Sequence, residues 1–178
     1  TDIDTWAFYG CGDFLSSIIV EDGNSIYDSR ENCNAIIETK TNTLITGCKS
    51  TIIPNSVTKI EGSAFSQCSS IKSITIGNSV TTIGEGAFFY CSSLHSVTIS
   101  RNVINIGKDA FKWCNSLDTV YIETATPPTL GTEVFQSAPL SICYIPCGTK
   151  AAYEASGWAE YVGEFVEECD NKCGNQLY

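Results

Sequence analysis

Eight positions of matched chemistry recur every 23 residues, and a chain built on that interval has few folds open to it. Val57, Ile60, Ala64, Phe65, Cys68, Ile71, Ile74 and Ile76 return as Val80, Ile83, Ala87, Phe88, Cys91, Leu94, Val97 and Ile99. They return again as Val103, Ile106, Ala110, Phe111, Cys114, Leu117, Val120 and Ile122, with no insertion between copies. A repeat of this length, with apolar residues at nearly every second to fourth place, cannot bury its apolar face alone. It must stack on copies of itself, which makes a solenoid.

Within one repeat, Ile71-x-x-Ile74-x-Ile76 ends in a period-two alternation that predicts a short strand. Gly77-Asn78-Ser79 turns the chain, and Val80–Ile83 is a second short extended piece. Gly84-Glu85-Gly86 breaks it, and Ala87–Cys91 suits a single helical or 3₁₀ turn. Parallel strands from successive turns would pair at about 4.8 Å, so six turns would measure roughly 25–30 Å.

The pattern extends outward with small adjustments. Ile3, Ala7, Phe8 and Cys11 keep the offsets of Ile83, Ala87, Phe88 and Cys91, and Leu15, Ile18 and Val20 follow after one extra residue. Downstream, Leu140, Cys143 and Ile145 lie 23 residues beyond Leu117, Val120 and Ile122. Val134-Phe135 replaces the Ala-Phe pair with a one-residue slip, and Pro127-Pro128 forces an extended entry to that turn. Residues 21–53 are irregular. Ala35–Glu38 and Thr43–Thr46 around a polar tetrapeptide predict an inserted β-hairpin. The organisation expected is a solenoid over 1–145, with an irregular turn at 21–53. Regular repeats occupy 54–76, 77–99 and 100–122, a degenerate one 123–145, and a cap with an acidic tail 146–178. In that cap Thr149–Ala155 reads as a short helix ended by Gly157, and Trp158, Tyr161, Val162, Phe165 and Val166 follow at helix-like spacing.

Charge narrows the function. The net of −10 is carried by the two ends, −5 over residues 1–53 and −6 over 123–178, while residues 54–122 sum to +1. Clustered Lys and Arg for phosphate backbones or anionic membranes are missing, so nucleic-acid binding is not expected. No run of about 18 apolar residues exists, so membrane insertion is not expected either. The chain opens inside a repeat and contains no Met, which suggests that a leader or earlier turns have been removed.

The unit Ile53-Pro-Asn-Ser-Val-Thr-x-Ile-x-x-x-Ala-Phe-x-x-Cys-Ser-Ser-Ile-x-x-Ile-x-Ile76 resembles the BspA-like leucine-rich repeat, with Ile and Val largely in place of Leu. The tail from Tyr144-Ile145-Pro146 to Gly157-Trp158 is similar to the terminal unit that follows such arrays. The resemblance covers residues 1 to about 162. It implies a right-handed leucine-rich-repeat-type β solenoid on a secreted or surface protein. For some members it implies adhesion or host-protein binding.

Residues that could carry chemistry are few. Cys68, Cys91 and Cys114 share one repeat position, so they should stack as buried thiols; in-register neighbours do not give the dihedral a disulfide needs. Cys33 and Cys48 flank the hairpin symmetrically and are the candidate disulfide. Cys143/Cys147 and Cys169/Cys173 are spaced by four residues rather than the two of a zinc knuckle, and His95 is the only histidine, so no metal or other cofactor is expected. Glu167-Glu168 and Asp170 read as a solvated acidic end. No local signature surrounds any Ser or Cys, and an enzyme is not expected.

Strand residues between the inward ones should face outward in rows. One row reads Ser17, Ser50, Ser73, Ser96, Thr119, Ile142, and its neighbour Ile19, Ile52, Thr75, Thr98, Tyr121, Tyr144. β-propensity alone favours such residues in strands. Tyr nonetheless offers large contact area with a polar handle. The candidate binding face is therefore Ile19, Ile52, Ser73, Thr75, Ser96, Thr98, Thr119, Tyr121 and Tyr144. The function expected is a monomeric, non-catalytic module of an exported protein. Its ligand would be a protein or glycan on host or bacterial cells. The alternative is a structural spacer in a longer surface protein with no ligand of its own.

Overall fold

The computed structural model describes residues 3–4 and 7–169. Twelve short strands are described: β1 (Tyr27–Asp28), β2 (Ala35–Glu38), β3 (Thr43–Gly47), β4 (Lys59–Ile60), β5 (Ser73–Ile76), β6 (Thr82–Ile83), β7 (Ser96–Ile99), β8 (Asn105–Ile106), β9 (Thr119–Ile122), β10 (Thr129–Leu130), β11 (Ile142–Pro146) and β12 (Glu164–Glu168). One α-helix, α1 (Lys150–Glu154), lies between β11 and β12. Among the described residues no helix is long and apolar enough to cross a membrane.

The strands form two sheets, which are the two long sides of a solenoid. The first has the order β1-β2-β3-β4-β6-β8-β10 and the second β12-β11-β9-β7-β5. From β3 to β10 the first sheet is parallel, and the second is parallel throughout. Register advances by one repeat per coil: Ile74 pairs with Val97 and Val97 with Val120. All twenty-four of the matched apolar positions are buried, none more than 8% exposed. The phenylalanines make a column, with Phe65–Phe88 centroids 5.0 Å apart, Phe88–Phe111 5.1 Å and Phe111–Phe135 5.3 Å, all with nearly parallel planes. That spacing is close to the strand separation of a sheet, so rings and backbone keep the same pitch. The one-residue slip at Phe135 is absorbed without breaking the column.

The corners after β6, β8 and β10 admit only glycine. A Cβ on Gly84 would lie 2.5 Å from the Gly62 nitrogen, and one on Gly107 2.7 Å from the Glu85 nitrogen. Successive backbones touch there, and any side chain would push two coils apart.

The hairpin forms as two apolar segments around a polar tetrapeptide predict: β2 pairs antiparallel with β3, with a register shift between Ile36 and Ile37. β3 then joins β4 in parallel, so the hairpin grows out of the solenoid's own sheet. The first coil is only half built. Ala7 N–H donates to Asp4 O and Cys11 N–H to Phe8 O, the same turn that Ala87 and Cys91 make with Gly84 and Phe88. Leu15, Ile18 and Val20 form no strand. They pack instead with Tyr27, Ile36 and Cys48 in a second, smaller apolar cluster. A strand from residues 15–20 would belong to the second sheet, and residues 50–53, its neighbour there, are bonded to Cys33 and Asn34 instead.

The C-terminal segment also departs from expectation. α1 forms and Gly157–Glu160 is a 3₁₀ turn, but Phe165 and Val166 lie in a strand rather than a helix. Gly163 explains the change: a Cβ there would sit 2.8 Å from the Ser141 carbonyl oxygen, so the chain is laid against β11. Glu164 N–H donates to Ser141 O, and β12 runs parallel to β11 as a further layer. Phe165 points inward beneath Tyr153 and Trp158, whose rings close the core. Tyr153 OH donates to Thr124 O at 2.7 Å and Trp158 Nε1–H to Pro128 O at 3.0 Å, satisfying the two buried polar tips.

Candidate functional site: the strand face

The second sheet sets its outward residues in register. Ser73, Ser96, Thr119 and Ile142 are successive partners, as are Thr75, Thr98, Tyr121 and Tyr144. Between them Ile74, Val97, Val120 and Cys143 turn inward. The Tyr121 and Tyr144 rings stack with centroids 4.9 Å apart and planes 7° from parallel. Tyr121 is 37% exposed, and Thr75 and Ser73 are exposed at the other edge. β12 lengthens both rows, placing Glu164 beside Ile142 and Val166 beside Tyr144. The sequence reading missed this extension; the Glu-Phe-Val-Glu alternation was the signal for it.

Two of the predicted face residues lie off the sheet. Ile19 and Ile52 are 80% and 75% exposed, but neither belongs to a strand. Residues 50–53 are held elsewhere: Ile52 N–H donates to Cys33 O, and Thr51 Oγ1 donates to Asn34 O. The row of predicted serines and aliphatics therefore stops at β5. A groove of about 410 Å³ separates β5 from this diverted segment, lined by Thr51, Ile52, Ile53, Asn55, Ser73, Ile74, Thr75 and Gly77.

The cysteines divide by environment. Cys68, Cys91 and Cys114 are free and buried; Cys91 donates to Phe65 O and Cys114 to Phe88 O, each at 3.2 Å. Burial pushes the Cys68 and Cys143 thiols up to about 12 and raises Cys91 well above its ordinary value. These sulfurs stay protonated, poor as nucleophiles or metal ligands.

The expected Cys33–Cys48 disulfide does not form; both are free. Cys33 packs in the main core with Ala35, Ile37 and Leu44, whereas Cys48 packs with Ile18, Tyr27 and Ile36 in the smaller cluster. The two thiols thus serve opposite faces of the hairpin. The disulfide present is Cys147–Cys169, with Cα atoms 4.8 Å apart. Each follows directly on a paired strand position, Pro146 opposite Glu168, which ties the last two layers together. A separation of 22 residues, about one coil, was its signature in the sequence. Glu167 lies close to both sulfurs and accepts the Lys150 amide at 2.9 Å. Asp170 and Cys173 lie outside the described residues. His95 is exposed on the flank, its Nδ1 2.6 Å from Ser93 O.

A search among curated proteins finds no match. Among solved structures, a leucine-rich repeat protein from Eubacterium ventriosum is similar at a TM-score of 0.62 and 24% identity, over 78% of this chain and 39% of that one. The pneumococcal vaccine antigen PcpA is similar at 0.48 and 15%, over 87% and 51%. This chain thus spans about half or less of the length of either. The profile of the BspA type leucine rich repeat region matches residues 36–156 in six copies. With two-thirds of its length so matched, and the matched positions between Val57 and Ile122 all buried in stacked coils, the chain belongs to the BspA type leucine-rich repeat family.

Proposed function

We propose that this chain is a non-catalytic interaction module of an exported bacterial surface protein, and that it binds a protein or glycan through the β5–β11 strand face. The observation that carries the reading is the stacked, solvent-facing Tyr121–Tyr144 pair, which continues the Thr75–Thr98 row beside the hydroxyl row Ser73, Ser96 and Thr119. A rigid aromatic platform loses little entropy on binding, and the neighbouring Ser and Thr hydroxyls supply donors and acceptors on a flat, uncharged sheet. Export agrees with the Cys147–Cys169 bond, since disulfides persist in oxidising compartments. The repeat family is typically non-catalytic, and in this chain burial holds the Cys68, Cys91 and Cys143 thiols protonated in the core.

The test is capture of partners from extracellular matrix and from neighbouring bacterial cells, followed by titration with the purified partner. Tyr121→Ala combined with Tyr144→Ala should weaken that binding at least about ten-fold, as truncation of aromatic interface anchors does. Unchanged affinity would remove the strand face from consideration.

A further inference from the structure

We infer that the open edge of β5 is a docking site for a single extended peptide, which would add a strand to the second sheet. The groove beside it is a place in the lattice of coils that the chain leaves unfilled.

Backbone direction makes the edge readable. His95 N–H donates to Lys72 O, and Glu123 N–H to Ile99 O. With the register Ser73–Ser96, these bonds turn the backbone groups of residues 72, 74 and 76 toward β7. Ser73 and Thr75 must then present their N–H and C=O groups to the opposite side. Among the described residues nothing pairs with them, and β5 ends the sheet. In every later coil the equivalent groups are paired with the preceding strand.

The vacancy has a local cause. In a regular array residues 50–53 would be that preceding strand. Here the bonds of Thr51 to Asn34 and of Ile52 to Cys33 pull them toward the hairpin, leaving the groove of about 410 Å³.

The occupant follows from complementarity of partial charge. The edge offers amide hydrogens and carbonyl oxygens alternately over a strand of four residues, about 13 Å long, and an extended backbone is the group that meets each in turn. Exposed Ile52 on the far wall favours an aliphatic side chain from the visitor. A second copy of the solenoid does not fit. Its strands are flanked by further layers, which would run into Thr51–Ile53 and Asn55 across the groove. A free segment of polypeptide does fit. The site is separate from the tyrosine pair at the other end of the face, and its test is independent of that reading.

The probe is a blocked nine-residue peptide with the sequence of residues 93–101, whose core already pairs with β5 on the other side. Titrated into the whole chain, it should bind saturably and slow hydrogen exchange at the Ser73 and Thr75 amides several-fold, leaving Thr98 unchanged. The same peptide N-methylated at alternate residues should bind about ten-fold more weakly, as loss of two backbone hydrogen bonds requires. Thr75→Pro removes an edge donor whose N–H serves no bond within the fold, and should have a similar effect. Tyr121→Ala with Tyr144→Ala should leave peptide binding within two-fold. Absence of saturable binding, equal binding of the N-methylated peptide, or protection of Ser73 and Thr75 arising only through self-association would each overturn the proposal.

Discussion

The two ends of this solenoid are closed by different means. At the C-terminal end the last coil is covered on both sides: β12 adds a layer to one sheet, and Trp158 seals the phenylalanine column with its centroid 5.2 Å from Phe135. A disulfide then fastens the added layer. At the N-terminal end only the first sheet is continued, by a hairpin that reverses strand direction. Among the described residues the second sheet stops there at the unpaired edge of β5. What the contrast teaches is that a stack of coils has two separate problems at each end, covering apolar area and satisfying backbone. This chain covers apolar area at both ends, and its second sheet still finishes in an edge strand on either side, β12 at one end and β5 at the other.

Three substitutions or conditions probe that contrast, beyond the binding tests above. The largest effect belongs to neither end. Phe88→Ala removes the middle ring of the column, fully buried between Phe65 and Phe111, and should cost about 3–5 kcal/mol in chemical denaturation. A cost below about 1 kcal/mol would mean the column is not the spine of the fold.

Next, Cys147→Ala with Cys169→Ala should lower stability by about 2–4 kcal/mol. The loss should concentrate at the C-terminal end, with faster hydrogen exchange in β12 and little change at Val97. Uniform loosening along the chain would show that the last layer is not an independent cap.

The smallest effect is a response to acid at the N-terminal end. The hydrogen bond from Arg30 is the chief reason that the Asp28 carboxyl is lowered from 3.8 to about 2, with Thr39 assisting. Because the folded value is depressed, the stabilisation is complete above about 3.8 and is lost as pH falls through about 2. Allowing for solvent screening at this partly exposed pair, the loss is about 1 kcal/mol. Asp28→Asn should flatten that limb of the pH profile, and exchange in β1 and β2 should report it before exchange in β7.

The regular coils were legible in full because each side chain there answers to a single rule, inward or outward at a fixed interval. Phe65, Phe88 and Phe111 stack as their spacing demands. The hairpin was legible from its apolar segments around a polar tetrapeptide, and α1 from its composition. The failures occur where a segment chooses between two partners. Val20 and Ile18 carry the periodicity of a coil, yet residues 50–53, the neighbour a strand there would need, are bonded to Cys33 and Asn34, and local pattern does not contain that competition. Phe165 and Val166 fit a helical spacing as well as a strand; contact of Gly163 with Ser141 decided it. Cys33 and Cys48 are symmetric in sequence but face opposite sides of the hairpin. At the candidate face, the hydroxyl and tyrosine rows were readable from β5 onward, whereas the diversion of Ile52 depended on bonds to Cys33 and Asn34.

The glycine corners carry a last consequence. Where Gly84 and Gly107 bring neighbouring backbones into contact, the rise per coil leaves no slack, so the array behaves as a ruler graduated in whole units. Duplication or deletion of one complete unit between residues 54 and 122 would change its length while leaving both terminal closures as they are. An insertion of a few residues, by contrast, would have to bulge out where the coils do not touch. Length in such a molecule is quantised, and that makes it easy to adjust and hard to blur.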